Sequence, residues 1–309
     1  MKKFLLVLLP LLLLGCASTG KTEKTVSKSS SSKYDQFWEL WNNDKQEEAE
    51  AFLNEWQIED KKDPELYVCY FNMYIDKATQ EKMYVDSYLP RGYQGQYMTG
   101  RNDDGDTIYF YSVIEYDDEN SQLAFDYLNK GISYNPKRLD LYFGKAQFYF
   151  MRGEYDKQAE VIKTTFELNK KYADSWLWSF NESAKEKRIG FPESIHEYFV
   201  KWYNTGDPAA YPYMMEITKL YTKEYPKDVI AYNDAGISAL LLNDLVAART
   251  YFERGYELDP SDMILLSNIA RINYNLGDTA AAKKYYEIMA ASDDPEYSNY
   301  AKDILKEYF

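Results

Sequence analysis

"YNDAGISALLLNDLVAARTYFERGYELDPSD" runs from Tyr232 to Asp262. It reads as an apolar helix, a turn at Asn243-Asp244 and a second helix that closes on "ELDP", the punctuation expected of a helical pair. The layout returns in "LSNIARINYNLGDTAAAKKYYEIMAASDDPE" from Leu266, with Gly277-Asp278 at the turn. It returns again in "YFGKAQFYFMRGEYDKQAEVIKTTFELNKKY" from Tyr142, with Gly153-Glu154 at the turn and "ELNK" at Glu167 to Lys170 in place of "ELDP". Self-similarity at a fixed period is the mark of a repeat architecture.

The closing position can be followed along the chain. It recurs at one and the same interval from Pro136 to Lys170, from Pro226 to Pro260 and from Pro260 to Asp294. The wider interval from Lys170 to Pro226 leaves room beyond one period for an additional helix near "ADSWLWSFNESAKEKR". The interval from Pro64 to Pro136 is wider still and holds one repeat together with an insertion. Less that insertion, residues 34–309 contain seven such periods, so about fourteen helices are expected. A first unit falls around "FWELWNNDKQEEAEAFLNEW", and "EYSNYAKDILKEYF" is expected as a terminal cap.

These units resemble tetratricopeptide repeats (TPRs), the helix–turn–helix repeat family whose period matches the recurring interval. Gly236 and Ala270 in the first helix, and Ala248 and Ala282 in the second, stand where that family places small residues. Helices approach closely only where side chains are short. The resemblance implies an all-α fold, a right-handed α–α superhelix. One unit cannot bury its apolar face alone and stacking makes the core continuous, so most Tyr, Phe and Trp side chains are expected to pack. Carried over position by position, the resemblance puts Phe143, Gln147, Phe150, Asn181, Asn233, Ile237, Arg271 and Tyr274 on the groove.

The insertion spans residues 80–117, between the two helices of the second unit. Asn102-Asp103-Asp104-Gly105 is hairpin chemistry, because Gly supplies the positive φ of a tight turn. "QGQYMT" and "TIYFYSVIEY" on either side are rich in strand-forming residues. A β-hairpin projecting from a helical array is expected. The acids of "NDDGDT" invite a calcium reading, but the alternating frame of an EF-hand loop, ending in Glu, is absent, so the turn reading is preferred. Tyr93, Tyr97, Tyr109 and Tyr111 form either a recognition surface, since Tyr gives large contact area at small entropic cost, or a cover for the solenoid's own core. Both stay open.

At the other end, Lys2 and Lys3 precede an apolar run from Phe4 to Leu14 broken by Pro10. The run is too short to span a bilayer and has the layout of an export signal over residues 1–15. Leu13-Leu14-Gly15-Cys16 resembles a bacterial lipobox, which implies cleavage before Cys16 and acylation of that cysteine, palmitate-type chains included. Residues 17–33 contain six Ser, four Lys and three Thr, a composition that cannot order itself. As a tether this stretch would span about 20–25 Å. Ala17 is not the Asp that retains such proteins at the inner membrane in enteric bacteria, so outer-membrane anchoring is favoured.

A net charge of −14 argues against nucleic acid, whose recognition needs a basic footprint. Cys16 and Cys69 are the two cysteines, so acylation of one leaves no structural disulfide. Cys69, in "ELYVCYFNMY", is expected to be a buried, inert thiol. The 32 Tyr, 15 Phe and 6 Trp place residues 34–309 among folded sequences. There is no G-x-S-x-G, H-E-x-x-H, phosphate loop or C-x-x-C. His196 is the one histidine and is expected to be structural, and the Asn181-Glu182-Ser183 sequon is discounted beside a lipobox. No enzyme, cofactor or metal is expected. The sequence reads as a lipid-anchored scaffold that holds a protein partner in the cell envelope. The alternative is an accessory of an uptake system that binds a glycan or apolar ligand on its aromatics; Trp176 and Trp178, two apart, cannot share one helix face, so one is expected in the core and the other exposed.

Overall fold

The computed structural model describes residues 32–90, 93, 95–187 and 190–309. The export signal, Cys16 and nearly all of the tether lie outside the described residues. Helices pair along the chain: α1 (Lys33–Asn42) with α2 (Gln46–Glu59), α3 (Pro64–Ala78) with α4 (Asp118–Tyr134), and α5 (Leu139–Met151) with α6 (Tyr155–Tyr172). After the single turn α7 (Ala184–Lys187) come α8 (Phe191–Thr205) with α9 (Tyr211–Glu224), and α10 (Val229–Leu241) with α11 (Leu245–Leu258). The array ends with α12 (Met263–Asn275) beside α13 (Thr279–Ala290), capped by α14 (Pro295–Tyr308). The fold is a TPR-like solenoid, as the repeat period implies.

Local chemistry explains the phase. Gly153, Asn243 and Gly277 adopt positive φ of 70°, 60° and 83°, the left-handed backbone that stops a helix. The amides of Glu154, Asp244 and Asp278 then donate back to Tyr149 O, Ala239 O and Asn273 O, each at 2.9 Å. Asp228, Asp262 and Asp294 start the next helices by accepting from the amides of Ile230 (2.9 Å), Ile264 (2.8 Å) and Glu296 (2.9 Å). Such caps contribute about 1 kcal/mol each.

The core is a succession of local clusters between neighbouring helices, as expected when each unit buries its face against the next. Ala248, Ala270 and Ala282 are fully buried. A Cβ added to Gly236 would sit 2.4 Å from the Phe252 ring, so that close approach admits only glycine. Cys69 is fully buried and burial pushes its thiol pKa up, in keeping with an inert cysteine.

One expectation is corrected and another is extended. The stretch from Ala173 to Lys187 is not an added helix but two 3-10 turns, Ala173–Ser175 and Ser179–Asn181, followed by α7. Leu177 pairs with the α4–α5 connection, its amide donating to Lys137 O and its carbonyl accepting from Leu139 N–H, both at 2.8 Å. That extended backbone sends Trp176 into the core and sets Trp178 against Phe143, 5.9 Å between centroids. The segment is riveted by Arg138, which is fully buried. Its guanidinium meets Glu65 Oε1 and Asp140 Oδ2, each at 2.8 Å. The Phe180 amide donates to the same Glu65 oxygen at 2.7 Å, and the Ser179 hydroxyl donates to Asp140 at 3.1 Å.

The insertion contains the expected hairpin, and a third strand joins it in an antiparallel sheet. The expected hairpin is β2 (Tyr97–Arg101) with β3 (Thr107–Tyr116), and β1 (Thr79–Asp86) continues directly from α3 and pairs with β3 on its other side. The order is β1-β3-β2, which leaves β1 and β2 at the edges. The Asp117 amide donates to Ala78 O at 2.9 Å and closes the base of the sheet. The turn reading of "NDDGDT" holds: Gly105 has φ of 86°, its amide reaches Asn102 O at 3.0 Å, and Asn102 Oδ1 accepts from Asp106 N–H at 2.8 Å.

Candidate functional site

The groove residues named from the sequence do not form one open surface. Phe143 on α5 is buried, with Trp178 over it and Tyr198 5.2 Å away, and its carbonyl accepts from the Tyr198 hydroxyl at 2.7 Å. Gln147, one turn on, accepts from Lys201 at 2.7 Å, while Phe150 lies 6.2 Å from Tyr155. Asn181 sits on a 3-10 turn with φ of 56° and accepts from Arg138 at 3.5 Å. Asn233 and Ile237 lie half-buried on α10, and Asn233 Oδ1 is buried without a hydrogen-bond partner. Arg271 and Tyr274 are half-buried on α12, and Tyr274 is covered edge-on by Tyr308 and Phe309 at 6.0 and 5.9 Å. Asn181 is the exposed member of the set, Phe143 is buried, and the others are half-buried.

His196 on α8 and Asp234 on α10 form a pair that the sequence did not announce. His196 Nδ1 lies 2.9 Å from Asp234 Oδ2. Asp234 is fully buried, and its Oδ1 has no hydrogen-bond partner. Burial pushes its carboxyl up to about 6, against the hydrogen bond from His196. That bond raises the imidazole in turn, against the burial of the ring. The pair can hold a proton. Among the described residues no group of three His, Cys, Asp or Glu side chains is arranged to hold a metal. No described helix is long and apolar enough to cross a membrane.

The sheet presents two different faces, because alternate residues point to opposite sides. The register puts Tyr84, Tyr97, Tyr109 and Tyr111 on one of them. Bonds within the sheet tie up much of that face, while Tyr97 stays 52% exposed. Tyr111 donates to Asp86 at 2.7 Å, and this bond pushes its phenol up to about 12. Tyr93 lies 5.2 Å from the Tyr111 ring and donates to Ser112 O at 3.0 Å, and Tyr84 donates to Glu115. Tyr97 stands edge-on to Tyr109 at 5.7 Å. The four tyrosines named from the sequence do come together, and chiefly with each other.

The opposite face is open. Met83, Met98, Val85 and Ile114 are 76%, 67%, 56% and 48% exposed. Val85, Phe110 and Met98 stand opposite one another across all three strands, a continuous apolar row. The Phe110 ring leans over Gly100, where a Cβ would come within 3.0 Å of it. Sequence reasoning missed this face because β1 itself was missed. The signal available was faint, the short run Met83-Tyr84-Val85 of strand-forming residues.

Comparisons with known proteins agree with the repeat reading. Tetratricopeptide repeat models match residues 218–263 and 265–287, which cover α10 to α13, so this part of the chain carries tetratricopeptide repeats. No curated protein matches the chain. Among solved structures it is similar to PilW, a widely conserved type IV pilus biogenesis factor, at 11% identity over 89% of this chain and 99% of that one, TM-score 0.37. It is also similar to YrrB, a TPR protein with an unusual peptide-binding site, at 14% identity over 59% and 83%, TM-score 0.36. A third likeness is pilF of Pseudomonas aeruginosa, at 15% identity over 61% and 81%, TM-score 0.34.

Proposed function

We propose that this chain is a lipid-anchored, non-enzymatic protein of the cell envelope whose solenoid holds another protein. The observation that carries the reading is the repeat architecture itself. A stacked array buries its core between neighbouring helices and offers an extended side to a partner, and TPR proteins use that side for peptide or protein partners. The lipobox resemblance at Cys16 supplies the anchor. Two or more acyl chains give stable membrane attachment where one does not. Ala17 after the cysteine favours the outer membrane.

In cells fed alkyne-palmitate, the chain should be labelled and sediment with membranes, and the Cys16→Ala variant should be unlabelled and soluble. An unlabelled, soluble wild type contradicts the anchor. On native gels of solubilised membranes the chain should run in one discrete complex well above its own 36.4 kDa. Migration as a lone chain contradicts the holding role.

A further inference from the structure

An edge strand offers a row of unpaired backbone donors and acceptors, and proteins blunt such edges with proline, bulges, charge or a covering element. β1 is eight residues long with no proline. Its register against β3 runs unbroken from Thr79↔Tyr116 to Asp86↔Tyr109. Among the described residues no strand pairs with its outer side. The edge carries three charges, Glu81, Lys82 and Asp86, but between them Met83 and Val85 stand largely in solvent, and the open apolar row lies immediately beside it. At its base the same face runs into the solenoid's core through Tyr116, 5.3 Å from Phe148, so the sheet is held from below while its outer part stands free. On the tyrosine face, by contrast, Tyr84, Tyr93 and Tyr111 spend their hydroxyls on internal bonds.

Charge decides what could dock there. Residues 79–117 contain seven acids (Glu81, Asp86, Asp103, Asp104, Asp106, Glu115 and Asp117) against three bases, a net charge of −4. The two described bases are engaged, Lys82 with Glu115 and Arg101 with the Gly105 carbonyl at 2.6 Å. A second copy would bring the same negative charge to the same edge, on a chain of −14 overall. We infer that the outer edge of β1, with the apolar row Val85–Phe110–Met98 beside it, is a docking site for a basic strand of another protein whose alternate residues are apolar. The added strand would pair its backbone with β1 and extend the apolar face with one set of side chains, while its positive charge is drawn by the net negative charge of the segment as a whole. The inference rests on the protein-holding reading and names the surface and chemistry of the hold.

The test uses a short fluorescein-labelled peptide of alternating valine and lysine, matched in length to β1. Its anisotropy is followed against the purified full chain in phosphatidylcholine nanodiscs at near-physiological salt, with empty nanodiscs as the blank. Saturable binding is expected, weakened at least tenfold for a valine–glutamate peptide and abolished when the parent peptide is N-methylated along both edges. The variant Met83→Gln/Val85→Gln/Met98→Gln changes exposed side chains and keeps the net charge, so it should fold and bind at least tenfold more weakly. Equal binding by that variant, or by the N-methylated peptide, would reduce the effect to general charge attraction and overturn the site. Self-association of the full chain that disappears in the glutamine variant would make a second copy the occupant and overturn the basic strand. If the peptide fails to bind while the chain still runs in a discrete membrane complex, the docking site falls and the holding role stands.

Discussion

Replacing His196 with alanine should cost little stability at pH 5 and much more at pH 7. Asp234 is fully buried, with His196 Nδ1 at 2.9 Å from Oδ2 and nothing bonded to Oδ1. Burial already pushes the carboxyl up to about 6 with the imidazole in place. Removing the imidazole removes the one opposing influence, so the carboxyl rises further. At pH 5 the variant buries a neutral acid and loses only ring packing and one hydrogen bond, about 1 kcal/mol. At pH 7 it must bury an uncompensated charge or capture a proton. Breaking a fully buried pair costs about 3–5 kcal/mol. The His196 side chain is 36% exposed, so water shares the load and about 2–3 kcal/mol is expected.

The wild type has its own sign. Both folded values lie above their unfolded ones. The Asp234 contribution is present below about pH 4 and is lost as pH rises through about 6. The His196 contribution is present below about pH 6.5 and is lost as pH rises through its raised folded value. Thermal melts followed by circular dichroism from pH 4.5 to 8 would read both, at about 2–4 °C per kcal/mol. Above about pH 6, where the wild-type carboxyl has already titrated, His196→Ala should go on losing stability and the gap to wild type should widen, and Asp234→Asn added to the variant should flatten the variant's own pH profile. A gap constant across that range would refute the buried-charge account.

Gly236→Ala drives a Cβ to 2.4 Å from Phe252 and should cost about 1–3 kcal/mol by overpacking, partly recovered by Phe252→Leu in a double-mutant cycle. Arg138→Met leaves the Glu65 and Asp140 carboxylates without their cation and should cost about 3–5 kcal/mol. Within the solenoid, trypsin should then cut first at exposed Lys187; an unchanged digestion pattern there would mean Arg138 does not hold the segment. In a Cys16→Ala background, Cys69 should resist a thiol-reactive chromogen in native buffer and react fully in denaturant, because its thiol is buried.

What could be read from the sequence was whatever repeats or is local. Gly153, Asn243 and Gly277 mark turns whose backbone is left-handed, and the small residues of α10 to α13 sit at the tightest contacts. Non-local partners could not be read. His196 and Asp234 are 38 residues apart, and Arg138 and Glu65 are 73 apart, with no pattern linking either pair. Leu177 looked helical because its extended pairing with Lys137 and Leu139 is set by a neighbouring connection, not by its own residues. The groove assignment assumed that every repeat keeps its first helix uncovered. Trp178 over Phe143 and Tyr308 with Phe309 beside Tyr274 break that assumption by long-range contacts.

The central claim, that the chain holds a protein partner at the membrane, is tested most directly by photo-crosslinking in living cells. A photoreactive residue replaces Met98 on the open face of the sheet or Arg271 on α12, in chains that keep Cys16. A discrete protein adduct from at least one position, lost when Cys16→Ala releases the chain from the membrane, is the predicted result. Normal expression and membrane location with no protein adduct from either position would contradict the account.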